Sequence, residues 1–89
     1  MTPLDQKIVD AVITLVRDNR GEMHGFWPTL IDHIALEAFG PLDEQPYKRF
    51  ASYVRHMGLQ YILEDSPVAM FRSTTGEISF VSRELLNVE

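Results

Sequence analysis

Apolar residues recur at helical spacing in three stretches of this chain and at alternating spacing after them. In the first stretch Leu4, Ile8, Ala11, Val12 and Leu15 form one stripe, the pattern of an amphipathic helix. Val9, Ile13 and Val16 form a second stripe beside it. Thr2, Pro3 and Asp5 suit the cap, the first turn and the positive end of the dipole. Asn19, Arg20 and Gly21 end the helix. A helix this broadly apolar meets two partners. One is the domain core. The other is a two-fold copy of the chain, through Val9, Ile13 and Val16, or the C-terminal sheet or tail of the same chain.

Met23 to Trp27 is a short apolar piece broken by Gly25. It reads as a one-bridge strand or as a connector, with Pro28 favouring an extended approach. A second helix runs from Pro28 or Thr29 to Phe39. Leu30, Ile31, Ile34, Ala35, Ala38 and Phe39 face inward, and Thr29, Asp32, His33, Leu36 and Glu37 face out. Gly40-Pro41 stops it.

The third helical stretch runs from Asp43, a good N-cap, to Met57, with Gly58 as its stop. Pro46 fits its first turn. Tyr47, Phe50, Ala51, Val54 and Met57 share one face. The link Gly40-Pro41-Leu42 is so short that the second and third helices cross at a corner, as in a helix-turn-helix.

Past Gly58 the period changes to two. Leu59, Tyr61 and Leu63 alternate with Gln60, Ile62 and Glu64, the reading of a first strand. Asp65-Ser66-Pro67 is a turn. Val68 to Arg72 is a second strand, with Val68 and Met70 on one face. Ser73 to Gly76 is another turn, and Glu77 to Val81 is a third strand with Ile78 and Phe80 on one side. Ser82 to Glu89 reads as a last helical turn or a docking tail. The fold class is therefore α+β: a three-helix helix-turn-helix core followed by a small antiparallel sheet, in a single domain spanning residues 1–89.

Composition narrows the function classes. The 89 residues include no cysteine, which excludes a disulfide framework and a thiolate metal site. A domain of this length buries roughly 60–65% of its unfolded surface, enough for one modest core. No apolar run approaches membrane-spanning length and no signal peptide is visible, so cytoplasmic residence without membrane attachment is expected. The chain carries 8 basic and 13 acidic residues, a net charge of -5. That balance argues against indiscriminate nucleic-acid binding.

Against this background, Gln45 to Gly58 holds Lys48, Arg49 and Arg55 and no acidic residue. With Ser52, Tyr53 and His56, these residues make the polar side of the third helix a basic island. One reading is a solvated helix face. The other is a recognition surface for phosphate and base edges.

Catalytic chemistry finds little support. There is no Gly-rich phosphate loop and no Ser/His/Asp order with supporting context. Asp32 and His33 are neighbours on a helix and point about 100° apart, so they form no dyad. His24 has no second histidine at ligand spacing and reads as a hydrogen-bonding side chain. No enzyme activity, metal or cofactor is expected.

Three helices followed by a small sheet, with the third helix leaving through Met57-Gly58-Leu59, resembles the winged-helix domains. Tyr47 to Leu59 looks like their third helix and its exit, and Ile31 to Gly40 like the helix before it. The resemblance covers roughly residues 4–81. It implies that the third helix lies in the major groove and that one C-terminal turn is the wing. The turn is either Asp65-Ser66-Pro67 or Ser73 to Gly76; the second suits DNA better, since Arg72 flanks it and Thr74 and Thr75 can donate to phosphate. Departures are the acidic Asp32 and Glu37 on the second helix and Asp43 and Glu44 before the third, which repel a phosphate backbone.

Two functions follow as expectations. The first is binding of double-stranded DNA by a transcription regulator through Lys48, Arg49, Ser52, Tyr53, Arg55 and His56 on the helix and Arg72, Thr74 and Thr75 on the wing, aided by homodimerisation. The second is a protein-interaction module on the same scaffold, one variant being a small phage- or plasmid-encoded regulator or inhibitor. Its support is the acidic charge, exposed Leu36 and the broad first helix.

Overall fold

The structure is a computed structural model and describes residues 3–40 and 58–86. The expected third helix, with its corner and its basic face, falls in residues 41–57 and lies outside the described residues.

The first helix, α1, spans Pro3–Asp18. Ile8, Val9, Ala11, Val12 and Val16 are buried, and Ile13 and Leu15 pack partly buried on the same core. The helix closes through two backbone bonds. The Gly21 amide donates to the Val16 carbonyl at 2.8 Å and the Arg20 amide to the Arg17 carbonyl at 3.2 Å. That pairing is a Schellman end, which places its penultimate residue in the left-handed region. Arg20 holds that position, with φ 62°.

The chain turns directly into strand β1, Glu22–Phe26. Gly21 takes φ 94°, a conformation that an L side chain resists, and a Cβ there would also press on a Leu85 methyl carbon at 2.8 Å. Its carbonyl accepts a bond from the Ser82 amide at 2.7 Å, tying this turn to the far end of the chain.

Helix α2 spans Trp27–Phe39, starting one residue ahead of the reading from proline placement. Phe26 precedes it in extended conformation, and Pro28 takes a first-turn place where no N–H bond is owed. Leu30, Ile31, Ile34 and Ala35 are buried; Thr29, Asp32, His33, Leu36 and Glu37 are exposed. The 3.6-residue period therefore placed this helix's inner face correctly.

Strands β2, Val68–Arg72, and β3, Glu77–Ser82, form the C-terminal hairpin. The sheet is antiparallel with order β1-β3-β2, so its centre is the last strand of the chain. Met23 pairs with Phe80, and Phe80 with Met70, in a row across the inner face. Helix α1 packs on α2 and on all three strands, while α2 packs on β1. Phe80, Ile8, Ile34 and Val12 are fully buried where these layers meet. The architecture is α+β, as expected.

Two expectations need correction. Leu59 to Leu63 is not a strand: Leu59–Ile62 is a helical turn. Leu59, Ile62 and Leu63 are all buried while Gln60, Tyr61 and Glu64 are exposed. That is i, i+3, i+4 spacing, which five residues satisfy as readily as an alternating pattern. The sheet's third strand is instead β1. It contributes all five residues to the pairing with β3, so the sheet is not purely C-terminal.

Of the two turns considered for the wing, Ser73 to Gly76 joins the hairpin, and Asp65-Ser66-Pro67 leads from the helical turn into β2. Ser66 is the buried polar residue among those described. Its hydroxyl donates to the Leu63 carbonyl at 2.8 Å, with the Val68 carbonyl an alternative at 3.0 Å, and it accepts from the Val68 amide at 3.1 Å. Ser66→Ala strands that buried amide and is expected to cost about 1–3 kcal/mol, measured by denaturant unfolding with an unchanged m value. The chain ends, within the described residues, in a helical turn, Arg83–Leu86.

Candidate functional site

The hairpin tip is the part of the expected site that the described residues contain. The Ser73 amide donates to the Glu77 carbonyl at 2.9 Å, and the Gly76 amide to the Ser73 carbonyl at 3.2 Å. The Glu77 amide in turn donates to the Ser73 hydroxyl at 3.0 Å. The Ser73 and Thr75 hydroxyls are hydrogen-bonded at 2.8 Å. Gly76 takes φ 89°, which a turn returning to β3 requires and an L side chain resists. This network holds the tip in one shape while Arg72, Thr74 and Thr75 remain exposed. Thr74 has no side-chain hydrogen bond among the described residues, so its hydroxyl is available to a ligand.

Strand alternation decides where Arg72 stands. It pairs with Ile78, which also pairs with Gly25, so it belongs to the row that faces the helices. At this end of the sheet that row runs past the core. Arg72, Gly76, Ile78 and half-buried Trp27 line a shallow depression of about 290 Å³ there. Arg72 is thus set beside the first turn of α2, where Thr29 is exposed. Trp27 is the neighbour that sequence reasoning did not assign; its place follows from β1 running straight into α2, which periodicity alone does not reveal.

Lys48, Arg49, Ser52, Tyr53, Arg55 and His56 all lie outside the described residues. The structure therefore places three of the nine expected DNA contacts, Arg72, Thr74 and Thr75, together on one hairpin.

The expected dimer stripe has a different setting. Val9 and Val16 are buried within the chain's own core. Ile13 and Val16 line a groove with Pro67, Val68, Ser82 and Leu85, so β2 and the C-terminal turn flank this side of α1. Ile13 alone of the three residues is part-exposed.

On the outer face of the sheet, His24 stands across from Ser79, and its Nδ1 is 2.8 Å from the Ser79 hydroxyl. Its Nε2 is 3.5 Å from a Glu22 carboxylate oxygen. His24 is thus a hydrogen-bonding surface histidine, as read from sequence. Serine, histidine and carboxylate in a row suggest nucleophilic chemistry at first sight. They lie on the open outer face of the sheet, where β3 is paired on both sides. Among the described residues no group of three or more His, Asp or Glu could hold a metal ion. No helix there is long and apolar enough to cross a membrane.

No protein-family model, no curated protein and no solved structure matches this chain.

Proposed function

We propose that this chain is a winged-helix-type DNA-binding regulator, with residues 43–57 as the reading helix and the β2–β3 turn as the wing. The observation that supports this most directly is the hairpin. It presents one guanidinium and two threonine hydroxyls on a rigid, hydrogen-bonded tip. The same tip lies beside the start of α2. The basic island Lys48, Arg49 and Arg55 supplies the second element of the reading, from sequence. Arginine on guanine discriminates between base pairs, whereas hydroxyls and a wing arginine hold the phosphate backbone.

These two roles separate in one experiment. Binding to a pool of genomic DNA fragments is measured at several salt concentrations for wild type, Arg49→Glu and Arg72→Ala. Arg49→Glu is expected to weaken binding by more than tenfold, since it removes a contact and adds repulsion. Arg72→Ala is expected to leave the preferred sequence unchanged and lower the salt slope by about 0.9. Absence of any complex at low salt, or wild-type binding by both variants, refutes the reading. Both changes replace side chains expected at the surface, so stability is expected to shift by under about 0.5 kcal/mol.

A second reading is a protein-interaction module on the same scaffold. It is favoured by the outward face of α2, where Asp32, Leu36 and Glu37 are exposed together. Carboxylates there oppose phosphate but not a cationic protein surface. Charge reversal at Asp32 and Glu37 distinguishes the two readings: DNA affinity rises under the first and partner affinity falls under the second.

A further inference from the structure

The sheet has two edges, and they are not equivalent. Its order leaves one side of β1 and one side of β2 without a neighbouring strand. On β2 the bond from the Ser73 amide to the Glu77 carbonyl fixes the alternation. Val68, Met70 and Arg72 therefore turn their backbone groups away from β3. That edge is closed at its start: the Ser66 hydroxyl stands against both the carbonyl and the amide of Val68, at 3.0 and 3.1 Å. The turn at Leu59–Ile62 borders the same strand, with Gln60, Tyr61, Ala69 and Met70 lining one groove.

The edge of β1 is open. The bond from the Ser82 amide to the Gly21 carbonyl sets its alternation. Met23 and Gly25 address β3, and Glu22, His24 and Phe26 turn their amides and carbonyls outward. Two of these groups are engaged. The Glu22 amide donates to the Asn19 carbonyl at 3.4 Å, and the Phe26 carbonyl, at the N-cap of α2, takes that helix's first bond. The carbonyls of Glu22 and His24 and the amides of His24 and Phe26 have no partner among the described residues. All three residues are exposed.

We propose that β1 pairs with β1 of a second copy of the chain, antiparallel about a two-fold axis at His24, joining the two sheets into one. His24 then exchanges both of its outward bonds with His24 of the copy. The Phe26 amide donates to the Glu22 carbonyl of the copy, and the same bond runs in the other direction. The free groups select this occupant, because donors at His24 and Phe26 and acceptors at Glu22 and His24 map onto one another when the strand is reversed about His24. An unpaired edge of this kind is a template for another strand, and a two-fold contact uses the same patch twice. Register follows as well. Moving the axis to Met23 calls on the Glu22 amide, and moving it to Gly25 calls on the Phe26 carbonyl, both already engaged. Across the axis Glu22 faces Phe26 of the copy, so no two carboxylates stand directly opposite, an arrangement that would destabilise the pair. The interface is neither the α1 stripe nor the hairpin tip, and it does not depend on the DNA reading.

The test uses the full chain without DNA. Sedimentation is expected to show a concentration-dependent dimer; a monomer at millimolar concentration overturns the proposal. The chain has no cysteine, so single cysteines report contacts cleanly. In the proposed register His24 and its counterpart have Cα atoms about 5.5 Å apart, inside the disulfide range of about 4.4–6.8 Å. Oxidised His24→Cys is expected to run as a covalent dimer, while Ile13→Cys and Thr74→Cys stay monomeric. Faster cross-linking through Ile13→Cys would assign the dimer to α1 and overturn the proposal. His24→Pro removes an outward amide that β3 does not use, a change an edge strand tolerates. It is expected to weaken the dimer at least about tenfold, through the two bonds lost, whereas His24→Ala keeps the amide and should change it by less than about threefold. A folded His24→Pro variant that still dimerises, or equal weakening by proline and alanine, refutes backbone pairing. Circular dichroism checks the fold of His24→Pro; if that variant is unfolded, the cysteine cross-links decide.

Discussion

Replacing Phe80 with alanine is expected to destabilise the fold by about 3–5 kcal/mol, the range for a large buried aromatic cut back to a methyl. Phe80 is fully buried on the central strand. It stands between Met23 of β1 and Met70 of β2, beneath the helices. Loss of its ring removes apolar burial and leaves a cavity that three strands and α1 share. An 89-residue domain has a total margin of only about 4–13 kcal/mol. The variant should therefore be partly unfolded at moderate temperature, read by loss of near-ultraviolet dichroism and a large drop in the denaturant midpoint. Phe71→Ala provides the control. It removes the same ring from the same hairpin, on the exposed face, and should cost under about 1 kcal/mol. Similar losses for the two would mean that the inner face has been assigned to the wrong residues.

The second large effect is expected at Arg83. This side chain bridges the start of the C-terminal helical turn to the carbonyls of Leu63, Glu64 and Ser66. It thereby holds the segment between the helical turn and β2 against the end of β3. The backbone joins the same two regions, since the Arg83 amide donates to the Pro67 carbonyl at 2.9 Å. A guanidinium presents several donors in a fixed plane, which suits three acceptors spread over one turn. Arg83→Ala is expected to cost about 2–3 kcal/mol, the scale of hydrogen bonds to a charged donor at a part-buried site. Arg83→Lys should recover only part of this, because one ammonium cannot reach all three carbonyls in the same geometry. Hydrogen exchange provides the local readout. Protection should fall first at Val68, whose amide bonds the Ser66 hydroxyl, while the α2 amides are little changed. A uniform loss across the molecule would count against a local clamp.

The helices show how far hydrophobic spacing reaches. In α2 the buried set Leu30, Ile31, Ile34 and Ala35 is the set its spacing picks out. In α1 the spacing gave two stripes and left their partners open. Ile8, Ala11 and Val12 of the first stripe and Val9 and Val16 of the second are buried, while Leu15 of the first and Ile13 of the second are only part-buried. The reason is geometric. A helix wedged between α2 and three strands is covered on more than one side, and its own residues do not say by what. Leu59 to Leu63 misleads for a related reason: five residues fit both periods, and Ile62 turning inward resolves them.

The candidate site divides the same way. The hairpin that carries Arg72, Thr74 and Thr75 was legible because a glycine-bearing turn between two apolar alternations marks a hairpin tip. The nearness of Arg72 to Trp27 was not legible, since it rests on β1 pairing with β3. Nor was the His24–Ser79 bond, whose partners are 55 positions apart.

Local chemistry thus sufficed for the helix α2, the C-terminal hairpin, the α+β class and the concentration of positive charge between Gln45 and Gly58. These rest on spacing, caps and turn residues, all expressed within a few positions of one another. Tertiary structure alone decided that β1 completes the sheet, that Phe80 is its centre, and that Phe71 and Tyr61 line one groove. Those outcomes depend on contacts between distant segments, and their free energy comes from burying surfaces jointly, which neither segment encodes by itself.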